Sequence, residues 1–181
     1  MADLTQYTGT WTIDPTHTRL GFVARHAMVT KVRGSFTDFS GSLTLDGANP
    51  AASGAEVTVQ MASVDSGTAD RDAHLKSPDF FNVEAFPTMT FTSTAVKQDG
   101  EEFVLIGDLT IKDVTRPVEI EVELDGIVTD PWGNTRAGFA GETEISRKDF
   151  GLTWNVPLDG GGVLVSDKIK IQLDVSATKS A

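Results

Sequence analysis

Apolar and polar residues alternate along most of this 181-residue chain, the period-two signature of strands that turn one face to a core and the other to water. Leu20, Phe22, Ala24 and His26 share one such face, Phe39, Gly41, Leu43 and Leu45 another, followed by Val57, Val59 and Met61 and by Met89, Phe91 and Ser93. The alternation returns in Phe103, Leu105, Gly107, Leu109 and Ile111, and in Val118, Ile120, Val122 and Leu124. It closes with Phe139, Gly141, Thr143 and Ile145, then Ile169, Ile171, Leu173 and Val175. Turn chemistry separates the runs at Asp46-Gly47, Asp99-Gly100, Asp125-Gly126, Trp132-Gly133-Asn134 and Asp159-Gly160-Gly161-Gly162, with Lys112–Pro117 as a short hairpin connection. About eight strands with mostly short links predict an all-β antiparallel meander, and closure into a barrel removes its exposed edges.

One stretch breaks the alternation. Asp70–Phe91 places charges and His74 beside Phe80, Phe81, Phe86 and Phe91. Thr68 predicts an N-cap for one short helix through Leu75, with Asp70 and Asp72 where the helix dipole favours acids. Ser77-Pro78 predicts a second short turn of helix, so one or two short helices fall within residues 68–82. Such a segment is either a plug on an apolar interior or the doorway into one.

A barrel of this size is either filled by side chains or holds one ligand. Inward-facing Gly41, Gly107, Gly141, Ala24, Ser93 and Thr143 leave space among Phe22, Phe39, Phe91, Phe103 and Phe139, or accommodate the larger residues opposite. Periodicity leaves both open.

Composition narrows the function classes. A net charge of −11 argues against nucleic acid or an anionic membrane surface as the main partner. The absence of cysteine excludes disulfides, thiolate catalysis and Cys-based metal sites. No run reaches the roughly 18 apolar residues that span a bilayer, so stable membrane insertion is not expected. The N-terminus lacks the basic flank and apolar core of a secretory signal, and the chain as written reads as cytoplasmic.

Candidate chemistry is sparse. His17, His26 and His74 lack the paired spacing of a zinc helix or finger, so no metal or other cofactor is expected. Asp14-Pro15 reads as a turn with His17 hydrogen-bonded beside it. No Gly-x-Ser-x-Gly elbow anchors a nucleophile. The row Glu119, Glu121 and Glu123 reads as the solvated side of a strand. Strand parity puts His26 and Arg147 inward at strand ends, where a charged group needs a partner: Asp72 or Asp149 for Arg147, or else the polar end of a ligand.

These residues also carry a resemblance. Trp11-Thr12-Ile13-Asp14-Pro15-Thr16-His17, Phe22–His26, Val32–Gly41, Arg71–Phe81, Gly107–Ile111, Thr115–Val118 and Ile145–Gly151, in this order, resemble the YceI-like family of bacterial lipid- and polyisoprenoid-binding proteins. Asn82 stands where an acid is common in that family, and Asp113 where glycine is. The resemblance implies a single lipocalin-like, elongated barrel domain over residues 7–177, often dimeric, that encloses an isoprenoid or fatty chain; many relatives are periplasmic. The expected tunnel lining is Phe22, Phe39, Met61, Phe91, Leu109, Ile120, Val122, Phe139, Ile145 and Ile171, gated by Phe80 and Phe81, with His26, His74 and Arg147 at the polar end. The expected function is binding, sequestration or transport without catalysis. The alternatives are an enzyme on a lipid or quinone-like substrate with His26 or His74 as acid–base, and a filled barrel serving as an interaction module.

Overall fold

The computed structural model describes residues 4–99 and 102–180; the Asp99-Gly100 turn lies outside the described residues. Strands β1 (Gly9–Ile13), β2 (Arg19–His26), β3 (Thr30–Phe36), β4 (Phe39–Leu45), β5 (Gly54–Gln60) and β6 (Val64–Asp65) precede the helix α1 (Ala69–Lys76). Strands β7 (Thr88–Asp99), β8 (Glu102–Ile111), β9 (Val114–Thr129), β10 (Thr135–Ser146) and β11 (Lys168–Lys179) follow. Every pairing is antiparallel, and the ladder β1-β4-β5-β7-β8-β9-β10-β11 closes when β11 returns to β1. Three staves are interrupted strands. Strand β11 pairs with β2 through Lys170–Asp174 and with β1 through Ala177–Lys179, so β1 and β2 form one stave broken at 14–18. Strands β3 with β4, and β5 with β6, are broken likewise, which makes the closed barrel eight-stranded.

The break between β1 and β2 is held by one carboxylate. Asp14 Oδ1 accepts from the Thr16 amide at 3.0 Å and the Thr16 hydroxyl at 2.7 Å. Its Oδ2 takes Arg136 Nη1 and His17 Nδ1, both at 2.8 Å, as the Asp-Pro turn foretells. Thr16, Arg136 and His17 together hold the Asp14 carboxyl far below the usual carboxylate range. A carboxyl depressed in the folded state binds fewer protons there than in the unfolded chain. Its stabilisation is therefore complete above the unfolded value, about 4, and is lost as pH falls through the acid range. Thermal melts are expected to hold steady from neutral pH to about pH 5 and to fall below it. Asp14→Asn lowers the neutral-pH melting temperature and flattens that acid limb; an unchanged limb would show that the network contributes nothing.

Two departures from the alternation have local causes. Asp125-Gly126 is not a turn. Strand β9 runs through it, with Gly126 opposite Gly138 and Leu124 opposite Phe139, so Asp125 is the extra residue of a β-bulge. Turn-forming residues serve both purposes. A second bulge at Thr94 in β7 shifts the inward set from Met89 and Phe91 to Val96. The second predicted helix is likewise absent: Phe80 N–H donates to Ser77 O, and the segment is a turn that the Ser77 hydroxyl ties to His74 O.

Inward glycines make room for rings. A Cβ on Gly34 would lie 2.3 Å from Phe22 Cζ, and one on Gly107 would lie 2.5 Å from Phe91 Cζ. Below Gln60, where β7 begins, β6 has no partner on that side. There α1 and the following turn cover the wall, packing Leu75, Phe81 and Val83 on Phe36, Phe39, Met61 and Val64. The pairing of β9 with β10 ends at Glu121 opposite Glu142, and beyond it Phe150 and Leu152 pack on Leu109, Ile111 and Ile120.

Candidate functional site

The inward face of the barrel encloses an apolar cavity of about 350 Å³. On β8 it runs from Phe103 to Ile111, eight residue steps or about 27 Å along the strand at ~3.4 Å each. With a strand tilt of about 35–45°, its length along the barrel axis is about 20 Å. The site is long and narrow, a shape for an extended chain. Its wall is built by the alternation itself: Val118, Ile120, Val122 and Leu124 from β9, and Ile169, Ile171, Leu173 and Val175 from β11. Outward neighbours Glu119, Glu121 and Glu123 are exposed. A polar exterior around an apolar interior is the reverse of a transmembrane barrel.

Most of the expected lining residues reach this wall. Phe22, Phe91, Leu109, Ile120, Val122, Phe139, Ile145 and Ile171 line it, as do Phe80, Phe81 and Arg147. Four do not. Phe39 and Met61 are inward and buried in the cluster beneath α1, behind neighbours such as Phe36 and Val59 that do line the cavity, and do not reach its wall themselves. Parity identifies an inward position, not whether its surroundings are filled. His26 is exposed, because β2 has run past the barrel rim by that point, and its backbone bridges to Val165.

His74 lies in the lid instead. Its ring stands edge-on to Phe80 at 4.9 Å and to Trp154 at 4.6 Å, and its Nε2 is 3.0 Å from Asp79 Oδ2. This aromatic contact joins α1 to the loop after β10. Behind it, Phe81 packs edge-on to Phe36 at 6.0 Å, and Phe36 packs on Phe22 at 5.6 Å. A run of rings thus connects lid to cavity.

Arg147 is the buried charged group on the wall, 3% exposed. It pairs with neither Asp72 nor Asp149. Its guanidinium donates to three carbonyls: Nε to Ser166 at 2.9 Å, Nη1 to Leu152 at 2.6 Å and Nη2 to Val165 at 3.3 Å. Asp72 instead accepts from the amide and hydroxyl of Ser66, which hold its carboxyl below the usual range. Burial pushes the Arg147 guanidinium below its ordinary value and the charge of Asp167 opposes this; the group stays cationic in water-accessible pH. Its role in the fold is a staple that folds the 151–167 loop back over the barrel end.

The wall offers little acid–base chemistry. Thr143 Oγ1 donates to Glu119 O, and Asp46 Oδ1 accepts from the amides of Ala48 and Asn49. Among the described residues no group of three or more His, Asp or Glu side chains converges to hold a metal ion. The alternation missed Leu152 and Val165 on the wall and Trp154 in the lid, because they come from an irregular loop. The only signal for that region was the Ile145–Gly151 motif.

The sequence motifs and the barrel meet in one comparison: the family model of the YceI-like domain matches residues 11–177. The chain belongs to the YceI-like family. This YceI-like barrel is 46% identical over 136 residues to Protein YceI of Escherichia coli O157:H7, covering 75% of this chain and 71% of that one. Among solved structures, BcnA of Burkholderia cenocepacia is similar with a TM-score of 0.79 at 25% identity, over 92% of this chain and 99% of its own. A polyisoprenoid binding domain from Saccharophagus degradans shares the fold, with a TM-score of 0.70 at 15% identity over 94% and 98% of the two chains.

Proposed function

We propose that this YceI-like barrel binds the long apolar tail of an amphiphile, an isoprenoid or fatty chain, and sequesters or carries it. One observation carries the reading: a closed barrel, polar outside, lined along its length by apolar side chains around a narrow cavity. A filled interaction module has no use for such a space. Transfer of a sixteen-carbon tail from water gains about 12 kcal/mol gross at ~0.8 kcal/mol per methylene. Ordering the chain and losing its free motion reduce that substantially; half of it still corresponds to binding near ~50 μM, and two thirds to ~1 μM. The fold shared with a domain described as polyisoprenoid binding supports the same ligand class.

The enzymatic alternative relies on His26 or His74, and neither lies on the cavity wall. No observation on the wall favours it over binding.

Native mass spectrometry of the purified protein, followed by organic extraction, tests the proposal. The expected result is an adduct whose extract is an amphiphile with a long apolar tail. A clean protein mass that does not shift on titration with long-chain prenols or fatty acids contradicts it.

A further inference from the structure

The end of the barrel beneath the lid carries a surface that the cavity does not explain. The β2–β3 hairpin turns through Ala27-Met28-Val29, with Ala27 at φ 51° and Met28 at φ 66°. These are left-handed backbone positions that favour glycine, asparagine or aspartate. Apolar residues stand there instead, and they project: Met28 is 56% exposed and Val29 76%. The tip is anchored, since Ala27 N–H donates to Leu164 O at 2.7 Å and Met28 lies against Gly162. Exposed Val156 and Val163 on that neighbouring loop extend the apolar patch.

Basic residues frame the patch. On the outer face Arg25 is directly opposite Lys31, and Arg33 is one outward position further along β3. Like charges facing each other across a ladder destabilise it, so the local fold is opposed by this arrangement. The start of β11 runs beside Arg25, whose backbone exchanges hydrogen bonds with Ser166, and it brings Lys168 to the same row. Arg25, Lys31, Arg33 and Lys168 have no ion pair among the described residues, whereas Lys170 is held by Glu142 at 2.7 Å. The nearby acids are few: Asp167, whose charge lies beside Lys168, Asp65 of β6, opposite Ser35, and Asp159 of the 156–163 loop. A chain of net charge −11 has thus gathered four cations around an exposed apolar tip, with Asp167 beside one of them, Lys168.

We infer that this end of the barrel docks peripherally on an anionic lipid surface, with Met28 and Val29 entering the headgroup layer and Arg25, Lys31, Arg33 and Lys168 lying against acidic headgroups. Apolar insertion together with basic contacts is the combination that holds proteins at membrane interfaces. The patch adjoins the cavity: Ala24 and Val165 line it, and the His26–Val165 bridge joins hairpin to loop. Docking therefore presents that end of the cavity to the bilayer. The surface goes beyond the proposed binding function and stands on its own residues; only the passage of a chain from bilayer to cavity rests on that function.

Co-sedimentation with vesicles of phosphatidylcholine alone, and of phosphatidylcholine and phosphatidylglycerol in equal parts, tests the surface. The full chain is expected to sediment with the mixed vesicles, not with phosphatidylcholine alone, and to be released by added salt. Each basic residue near an anionic surface is worth about fivefold in binding, so the pair Lys31→Glu and Arg33→Glu is expected to lose about 25-fold or more. The pair Met28→Asp and Val29→Asp is expected to lose binding as well; both sites are exposed, and aspartate tolerates the left-handed conformation at 28. Trp132→Asp, 81% exposed in the turn between β9 and β10, is expected to leave binding unchanged. Equal sedimentation with both vesicle types, sedimentation with neither, or binding that survives both tip and charge variants overturns the inference. Chain binding measured in free solution separates the two claims: it is expected to be the same in wild type and tip variants, and its failure counts against the cavity alone.

Discussion

Val122→Trp is expected to weaken binding of a long apolar chain about 200-fold while the barrel stays folded, because an indole that displaces about four methylenes removes ~3 kcal/mol. Val122 is at mid-length on β9, paired to Gly141 on one side and Phe103 on the other, with its side chain on the cavity wall. Leu173 and Ile120 already close over the missing Cβ of Gly141, so a larger ring at Val122 is turned into the cavity that Val122 lines. Overpacking a filled core costs about 1–3 kcal/mol; here the melting temperature is expected to change little. Tryptophan is also a favourable strand residue. Displacement of a fluorescent long-chain probe measures the affinity, and a thermal melt reports the fold. Unchanged affinity in a folded variant would mean that the chain binds elsewhere.

Arg147→Met is expected to lower stability by about 3–5 kcal/mol, since buried carbonyls left without a donor cost ~1–3 kcal/mol each. The carbonyls of Leu152 and Ser166 lose the Arg147 donor and that of Val165 keeps only Asn155 Nδ2, while methionine retains the apolar length. For a chain of this size the melting temperature falls by about 10 °C or more. Loosening is expected first in the 151–167 loop, visible as faster amide exchange at Leu164 and Ser166, whose N–H groups bond Val156 and Arg25. Arg147→Lys recovers only part of the loss, since an ammonium cannot span three divergent carbonyls. Wild-type stability in both variants would remove the staple from this account.

The barrel was legible because its staves need one apolar face each, and that requirement writes itself as period two. Val118 to Leu124 and Ile169 to Val175 illustrate it: every inward residue reaches the wall. The alternation failed where geometry intervenes between strand and wall. At Asp125 a bulge consumes one residue without ending the strand, and at His26 the strand outruns the rim. Phe39 and Met61 show a different limit, since a filled and an open interior demand the same inward apolar residue. Strand parity marks Arg147 as a buried charge, but its partners are backbone carbonyls, which every residue carries and no pattern marks. Net charge hid the basic tip for a related reason: a sum over the chain erases where Arg25, Lys31, Arg33 and Lys168 meet.

Affinity across a homologous series of straight-chain or prenyl alcohols, measured by titration against the purified protein, tests the cavity most directly. Enclosure predicts that each added methylene strengthens binding about fourfold, ~0.8 kcal/mol, until the chain fills the ~20 Å length and the gain stops. Affinity that is independent of chain length, or no saturable binding at any length, would contradict it.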